Sequence, residues 1–263
     1  MGNPTLTFGY STLATRLGNI ALPELAPGWD VLITVQSGTT IAPTVEQLLK
    51  SPTGERVTTK AFPGKGVTKL RNQVIKNAAG SYVIFADDDV TFNADGIQAA
   101  LDYLEQNKDV ALLLGQAIDE NGKLRKKYPK KIIKLTKLNS AKAATYEMII
   151  RLDAVKKSEV LFDEEFGAGA ETTYLGDEYI FIADLISANL TCVYAPMVLA
   201  SHATESSGSG WGTNRDRKAR ALIFDRVFKG NLTLPYLARI AFGIRKLGQG
   251  LNLSQFIQFV FKR

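Results

Sequence analysis

Three consecutive aspartates, Asp87, Asp88 and Asp89, follow the apolar run Tyr82-Val83-Ile84-Phe85-Ala86. A second acidic pair, Asp177-Glu178, follows a glycine-rich stretch that ends at Gly176. Adjacent like charges repel, so the triplet has two readings. Either a hard cation such as Mn²⁺ or Mg²⁺ compensates it, because such ions prefer carboxylate oxygen and bridge to substrate phosphates, or it is a solvated turn capping the next helix. The pair likewise reads as a carboxylate base presented at a helix N-terminus or as a simple favourable helix start. His202 and Cys192 are the only residues of their kinds. That excludes an internal disulfide and a Cys/His zinc site, and any serine or cysteine triad would have to use His202. A divalent ion would therefore be held mainly by oxygen.

These groups need a scaffold that brings distant segments together. The chain has 263 residues, 45% of them hydrophobic, enough for one or two domains with a sizeable core. Its first half alternates β-rich runs with helical patterns, which predicts a parallel sheet with crossover helices. Strands are expected at 5–10, 30–36, 55–62 and 81–86, and helices at 13–21, 43–50 and 67–79. A helix at 94–106 and a strand at 110–118 follow, then a strand at 145–152, a glycine-rich loop at 166–176, a helix at 177–188 and a strand at 191–194. From residue 214 the pattern is helical and basic, broken near Gly230 and Gly248. In an open parallel sheet the ligand crevice lies outside the carboxyl ends of the strands, where Asp87 to Asp89 would stand.

The run Gly64-Lys65-Gly66-Val67-Thr68-Lys69-Leu70-Arg71-Asn72, followed by Ala79-Gly80-Ser81-Tyr82 and the strand into Asp87-Asp88-Asp89, resembles the donor half of family-2 glycosyltransferases with the GT-A fold. There a G-x-S/T-x-x-R-N helix start, an A-G-x-Y strand and a D-x-D motif follow in this order. Phe162-Asp163-Glu164-Glu165-Phe166-Gly167-Ala168-Gly169 is similar to the family's F-D-E-x-F-G-x-G, and Gly176-Asp177-Glu178-Tyr179-Ile180-Phe181 stands at the place of G-E-D-x-x-F. Tyr194-Ala195-Pro196 with His202 repeats Y-x-P followed by His.

The resemblance implies an α/β fold of the GT-A type, with a mostly parallel sheet flanked by helices, over residues 1–212, and a helical C-terminal extension over 213–263. Residues 1–118 would form the nucleotide-sugar half and 119–212 the acceptor side. It implies metal-assisted, inverting transfer from a nucleoside diphosphate sugar, with Mn²⁺ or Mg²⁺ as cofactor. Asp89 would be the direct metal ligand, with Asp87 and His202 as further contacts. Asp87 and Asp88 would lie near the ribose, and Arg71 close to the nucleotide. Tyr10, Ser11 and Thr12 would form one side of the nucleotide pocket. Gln36 replaces the family's base-recognising acid with an amide that can donate and accept at a pyrimidine edge, uracil being the expected base. Gly66 and Lys69 would place phosphate at a helix N-terminus. Glu178 takes the place of the family's base, and Asp177 either shares that role or caps the helix.

The net charge of +6 suggests an anionic partner. Eight Lys or Arg and no acid fall within 123–137, a segment with three competing uses: a solvated loop, a site for an anionic acceptor, or an attachment to anionic lipid. Residues 232–247 and the last turns carry apolar residues at helical spacing beside cations, which suits either a membrane interface or packing against the sheet or another subunit. No secretory signal, myristoylation pattern or membrane-spanning run is read at the start of the chain or beyond it, so a cytoplasmic protein, at the inner face of the membrane where lipid is bound, is expected. The acceptor would be a hydroxyl of a surface polysaccharide or a lipid-linked glycan. Three rivals are a sugar nucleotidyltransferase, whose G-x-G-x-x-R-x-x-P-K loop is missing, a non-catalytic nucleic-acid-binding or anion-binding protein of the same fold, and a catalytically idle relative that keeps the fold as a scaffold, which the order Asp177-Glu178 in place of Glu-Asp leaves open. Nucleic acid is not the expected partner, since the basic run has few interleaved aromatics and no recognition motif.

Overall fold

The computed structural model describes residues 5–37, 56–203 and 213–261. The helix expected at 43–50 lies outside the described residues. Strands β1 (Leu6–Leu13), β2 (Trp29–Ser37), β3 (Val57–Pro63), β4 (Tyr82–Ala86), β5 (Val90–Phe92), β6 (Val110–Ile118), β7 (Ile133–Lys134), β8 (Met148–Arg151) and β9 (Thr191–His202) form one sheet. Its order is β3-β2-β1-β4-β8-β6-β9-β5, with β7 paired to β9. The pairings among β1 to β4 are parallel, as is β6 with β9, while β8 is inserted antiparallel between β4 and β6. One sheet thus runs through what the sequence divides into donor and acceptor sides.

Helices α1 (Val67–Asn77), α2 (Ala94–Gln106), α3 (Leu152–Ser158) and α4 (Asp177–Ser187) accompany the sheet, and α5 (Asn214–Val227), α6 (Leu234–Lys246) and α7 (Leu253–Phe261) follow it. Strand β4 shows why its sequence is almost wholly apolar. Tyr82, Ile84 and Ala86 join the core that includes Ile97, Leu101 and Leu104 of α2, while Val83 and Phe85 join the opposite core with Val74 of α1 and Phe181 of α4. Alternate side chains point to opposite faces, and both faces are covered. The second core is tightened by Phe162 stacked on Phe181 at 4.1 Å with Phe85 edge-on to both. Such ring pairs add about 0.5–1.5 kcal/mol each beyond their buried area.

Several expectations are corrected. Residues 13–21 form a 3₁₀ turn over Ala14–Asn19 and not an α-helix, and the strand expected at 145–152 is a 3₁₀ turn, Thr145–Glu147, followed by β8. Strands β5 and β7 and helix α3 are additional. Strand β9 runs eight residues beyond the expected 191–194, because the sheet accommodates Pro196 at a register shift between β6 and β9.

Candidate active site

The carboxyl ends of β1, β2 and β4 open into a cleft of about 960 Å³. Its far wall is built by the segment before α4, by Tyr146, and by Ile223, Phe224 and Phe242 of the C-terminal helices. Helix α4 begins at Gly176, whose φ of 95° favours glycine; a side chain there would also collide with Ile223, at 2.4 Å from its Cβ. Asp177 and Glu178 therefore enter the cleft on the first turn of a helix, where negative charge is favoured.

Arg71 of α1 is the electrostatic centre. Its guanidinium donates to Asp87 at 3.0 Å through Nη2 and to Asp177 through Nη1, and Nη1 lies 3.9 Å from Glu178. The next residue, Asn72, donates to the carbonyl of Phe162 at 3.0 Å and accepts from its N–H at 2.8 Å. The Arg-Asn pair is thus not a surface pair but a tie between the donor-side helix and the segment that leads to α4. Gly167 lets that segment pass, since a side chain on it would meet Asp177 at 2.9 Å.

One guanidinium facing three carboxylates leaves a shortage of positive charge. Burial disfavours the charge on Arg71, but Asp87, Asp177 and Glu178 outweigh that and hold it protonated. Burial and then Glu178 push the Asp177 carboxyl from 3.8 up to about 8, against the pull of Arg71. Burial also raises Asp87, again opposed by Arg71. The sign of the pH effect follows: between about 4 and about 8 the folded chain holds a proton on Asp177 that the unfolded chain has released. This contribution to stability is complete at the acid end and is lost as pH rises through about 8. Thermal unfolding across that window should show stability declining with pH, and Asp177→Asn, which mimics the protonated form, should flatten the decline. An unchanged slope in the variant would assign the effect to another group.

Glu178 faces the cleft, 24% exposed against 6% for Asp177, and accepts a hydrogen bond from Thr145 Oγ1 at 2.8 Å. Asp89, half exposed, lies opposite. The pairing of β5 with β9 puts Val90 beside His202, which brings His202 Nε2 to 3.4 Å from Asp89 Oδ1. The imidazole stacks on Tyr146 at 5.1 Å, and its Nδ1 lies 2.7 Å from the Ala203 carbonyl oxygen. Asp88 turns away to the β1 side, accepting from Thr12 at 2.5 Å and pairing with Arg16 at 2.6 Å. Arg16 also stands 3.5 Å from Asp89.

Most of the residues singled out in the sequence meet around this cleft: Ser11, Thr12, Gln36, Arg71, Asp87, Asp88, Asp89, Asp177, Glu178 and His202 all line it. Tyr10 does not; its ring is fully buried in the core, with its hydroxyl donating to Ala21, because alternate residues of β1 face opposite ways. Lys69 points to solvent, outside the cleft lining. Gln36 caps α1, its side-chain oxygen accepting from the Gly66 N–H at 3.1 Å. Sequence reasoning missed Arg16, Thr145 and Tyr146. None sits in a motif, and only the fold carries each to the carboxylates. Within the basic run, Arg125 and Lys126 reach the cleft, where Arg125 donates to the Tyr146 hydroxyl and Lys126 pairs with Glu147 at 2.8 Å.

Residues 33–155 match the family described as Glycosyl transferase family 2. No curated protein matches the chain in sequence. Among solved structures, that of S. aureus TarS 1-349 in complex with UDP-GlcNAc is similar, with a TM-score of 0.59 at 15% identity, covering 98% of this chain and 81% of that one. The same protein in complex with UDP gives 0.58 at 15% identity, with 98% and 81% covered. The structure of S. aureus TarS gives 0.58 at 15% identity over 100% of this chain and 50% of that one. At this identity the likeness is one of fold, and the fold is GT-A.

Proposed function

We propose that the chain is a member of glycosyl transferase family 2, whose model matches residues 33–155, and that it transfers a sugar, with inversion, from a UDP-type donor to an acceptor hydroxyl. The observation that carries this reading is the division of labour among the carboxylates. Asp177 is locked to Arg71, while Glu178 and Asp89 are turned into one cleft from segments 89 residues apart in the chain. UDP-GlcNAc and UDP in the similar structures support a uridine diphosphate sugar as donor.

The residues present fit a divalent cation. If Nδ1 of His202 donates to the Ala203 carbonyl, the lone pair on Nε2 faces the Asp89 carboxylate. Two acceptors in that relation repel unless a cation lies between them, and a carbonyl behind a histidine is the usual support for a metal ligand. Among the described residues no three His, Cys, Asp or Glu side chains form a complete ion site. Asp89 and His202 would hold the ion together with oxygens of the donor's diphosphate, a mode that suits Mn²⁺ or Mg²⁺. Bound there, it would supply positive charge to the departing diphosphate.

The chain's own groups do the rest. Ser11, Thr12 and Asp88 border the nucleotide side, and Arg16 keeps Asp88 compensated. Glu178, aligned by Thr145, takes the proton of the acceptor hydroxyl as its oxygen attacks the anomeric carbon opposite the leaving group. The acceptor, a hydroxyl of a surface polysaccharide or lipid-linked glycan, would approach past Arg125 and Lys126.

Donor binding tests this. Titrating UDP-sugars with and without Mn²⁺, we expect Asp89→Ala and His202→Ala each to weaken donor affinity about tenfold to a hundredfold in the presence of the ion, and to abolish the ion's own effect. Variants that bind donor and respond to Mn²⁺ as the parent does would remove both residues from the ion site.

A further inference from the structure

Helices α6 and α7 form an antiparallel hairpin. Gly243 packs against Phe256, Phe242 lies 6.0 Å from Phe259, and Tyr236 stacks on Phe261 at 6.4 Å. On the inner side of the hairpin Arg239 is buried, its two terminal nitrogens bonded to Asp225 and to the carbonyls of Val260 and Ala221, and Phe242 reaches the cleft. The outer side is not what a water-facing surface requires. On α6 the exposed stripe is Leu237, Ala241 and Ile244, at i, i+4 and i+7; on α7 it is Leu253, Ile257 and Phe261, at i, i+4 and i+8. The side chains of Leu237, Ile244, Ile257 and Phe261 are each more than half exposed. In an ordinary surface helix that stripe is polar.

Charge identifies the occupant. From Arg226 to Arg263 the sequence has seven Lys or Arg and neither Asp nor Glu. Arg226 is matched by Asp163 and Asp184, and Arg239 by Asp225, all from outside this stretch. Lys229, Arg245 and Lys246 also lie on the hairpin and its approach. A second copy of the chain seated on the same face would bring cation against cation. An anionic bilayer supplies both complements at once, apolar depth for the stripes and phosphate for the cations.

We propose that the α6–α7 hairpin docks on anionic lipid, with Leu237, Ile244, Ile257 and Phe261 entering the headgroup boundary and Arg245 and Lys246 on the phosphates. Phe242 and Phe224, 5.9 Å apart, are both cleft-lining residues. Docking therefore holds the cleft one helix thickness from the bilayer, where a lipid-linked acceptor would be presented. The docking itself is independent of sugar transfer.

Co-sedimentation of the full chain with vesicles of phosphatidylcholine alone, and of phosphatidylcholine mixed with phosphatidylglycerol, tests it. Binding is expected to the mixed vesicles and to be much weaker with phosphatidylcholine alone. Changing Leu237, Ile244, Ile257 and Phe261 together to Asn should weaken binding at least about a hundredfold. Arg245→Gln with Lys246→Gln should weaken it roughly thirtyfold. Both variants should keep the parent's thermal unfolding and its donor-induced shift, which separates loss of docking from loss of fold or of donor binding. The proposal is overturned if the parent stays in the supernatant with mixed vesicles, if the fourfold variant sediments like the parent, or if light scattering shows a dimer that the fourfold variant dissolves.

Discussion

Glu178→Gln is expected to lower sugar transfer by about a hundredfold to ten-thousandfold while leaving donor affinity unchanged. The substitution keeps the length of the side chain and an oxygen for Thr145 to donate to, so geometry is preserved and the capacity to take a proton is removed. Asp177→Asn supplies the contrast. Asp177 is buried against Arg71 and held protonated up to about 8, so it is unsuited to accept a proton from an acceptor at neutral pH. Its replacement should cost transfer about tenfold or less, through a small displacement of α4. Single-turnover transfer and donor titration on the same preparations decide the matter. A large loss in Asp177→Asn beside near-normal Glu178→Gln would reverse the two assignments.

Arg71→Met should be the most damaging substitution for stability. It leaves the part-buried Asp87 carboxylate without its cation and the buried Asp177 carboxyl without its donor, and removing one partner of a buried cluster in this way costs about 3–5 kcal/mol. Domains are commonly stable by only about 5–15 kcal/mol. For a chain of this size the loss corresponds to a fall in Tm of roughly 10 °C or more. Arg71→Lys should recover only part of it, because a single ammonium cannot reproduce the fork that reaches Asp87 through one nitrogen and Asp177 through the other. Adding Asp87→Asn to Arg71→Met should restore stability relative to Arg71→Met alone, since it removes the carboxylate left without its cation. Thermal unfolding of the three variants checks the series; an Arg71→Met protein as stable as the parent would show that the ion cluster does not hold the two sides of the cleft together.

The strands that carry the site were legible because their chemistry is local. Strand β4 is an unbroken apolar run, α2 has its cap at Asn93, whose side chain accepts from the Gly96 N–H, and both appear where periodicity puts them. Strands β5 and β7 were not legible, being three and two residues long and formed only because β9 offers an edge to pair with. Pro196 hid the second half of β9, since a residue without an N–H ordinarily ends a strand. That hidden half is what places His202 against Asp89.

Sequence by itself determined the cast: an acidic triplet after an apolar strand, an acidic pair after a glycine turn and one histidine, in an order that resembles a known family. Tertiary structure alone decided their parts. Asp87, Asp88 and Asp89 are chemically alike and adjacent, yet one pairs with Arg71, one with Thr12 and Arg16, and one faces His202. Asp177 and Glu178 differ by a methylene, yet one is sealed against a buried guanidinium and the other is open to the cleft. Protonation and reach depend on burial and on the nearest opposite charge, and those are set by segments far away in the chain.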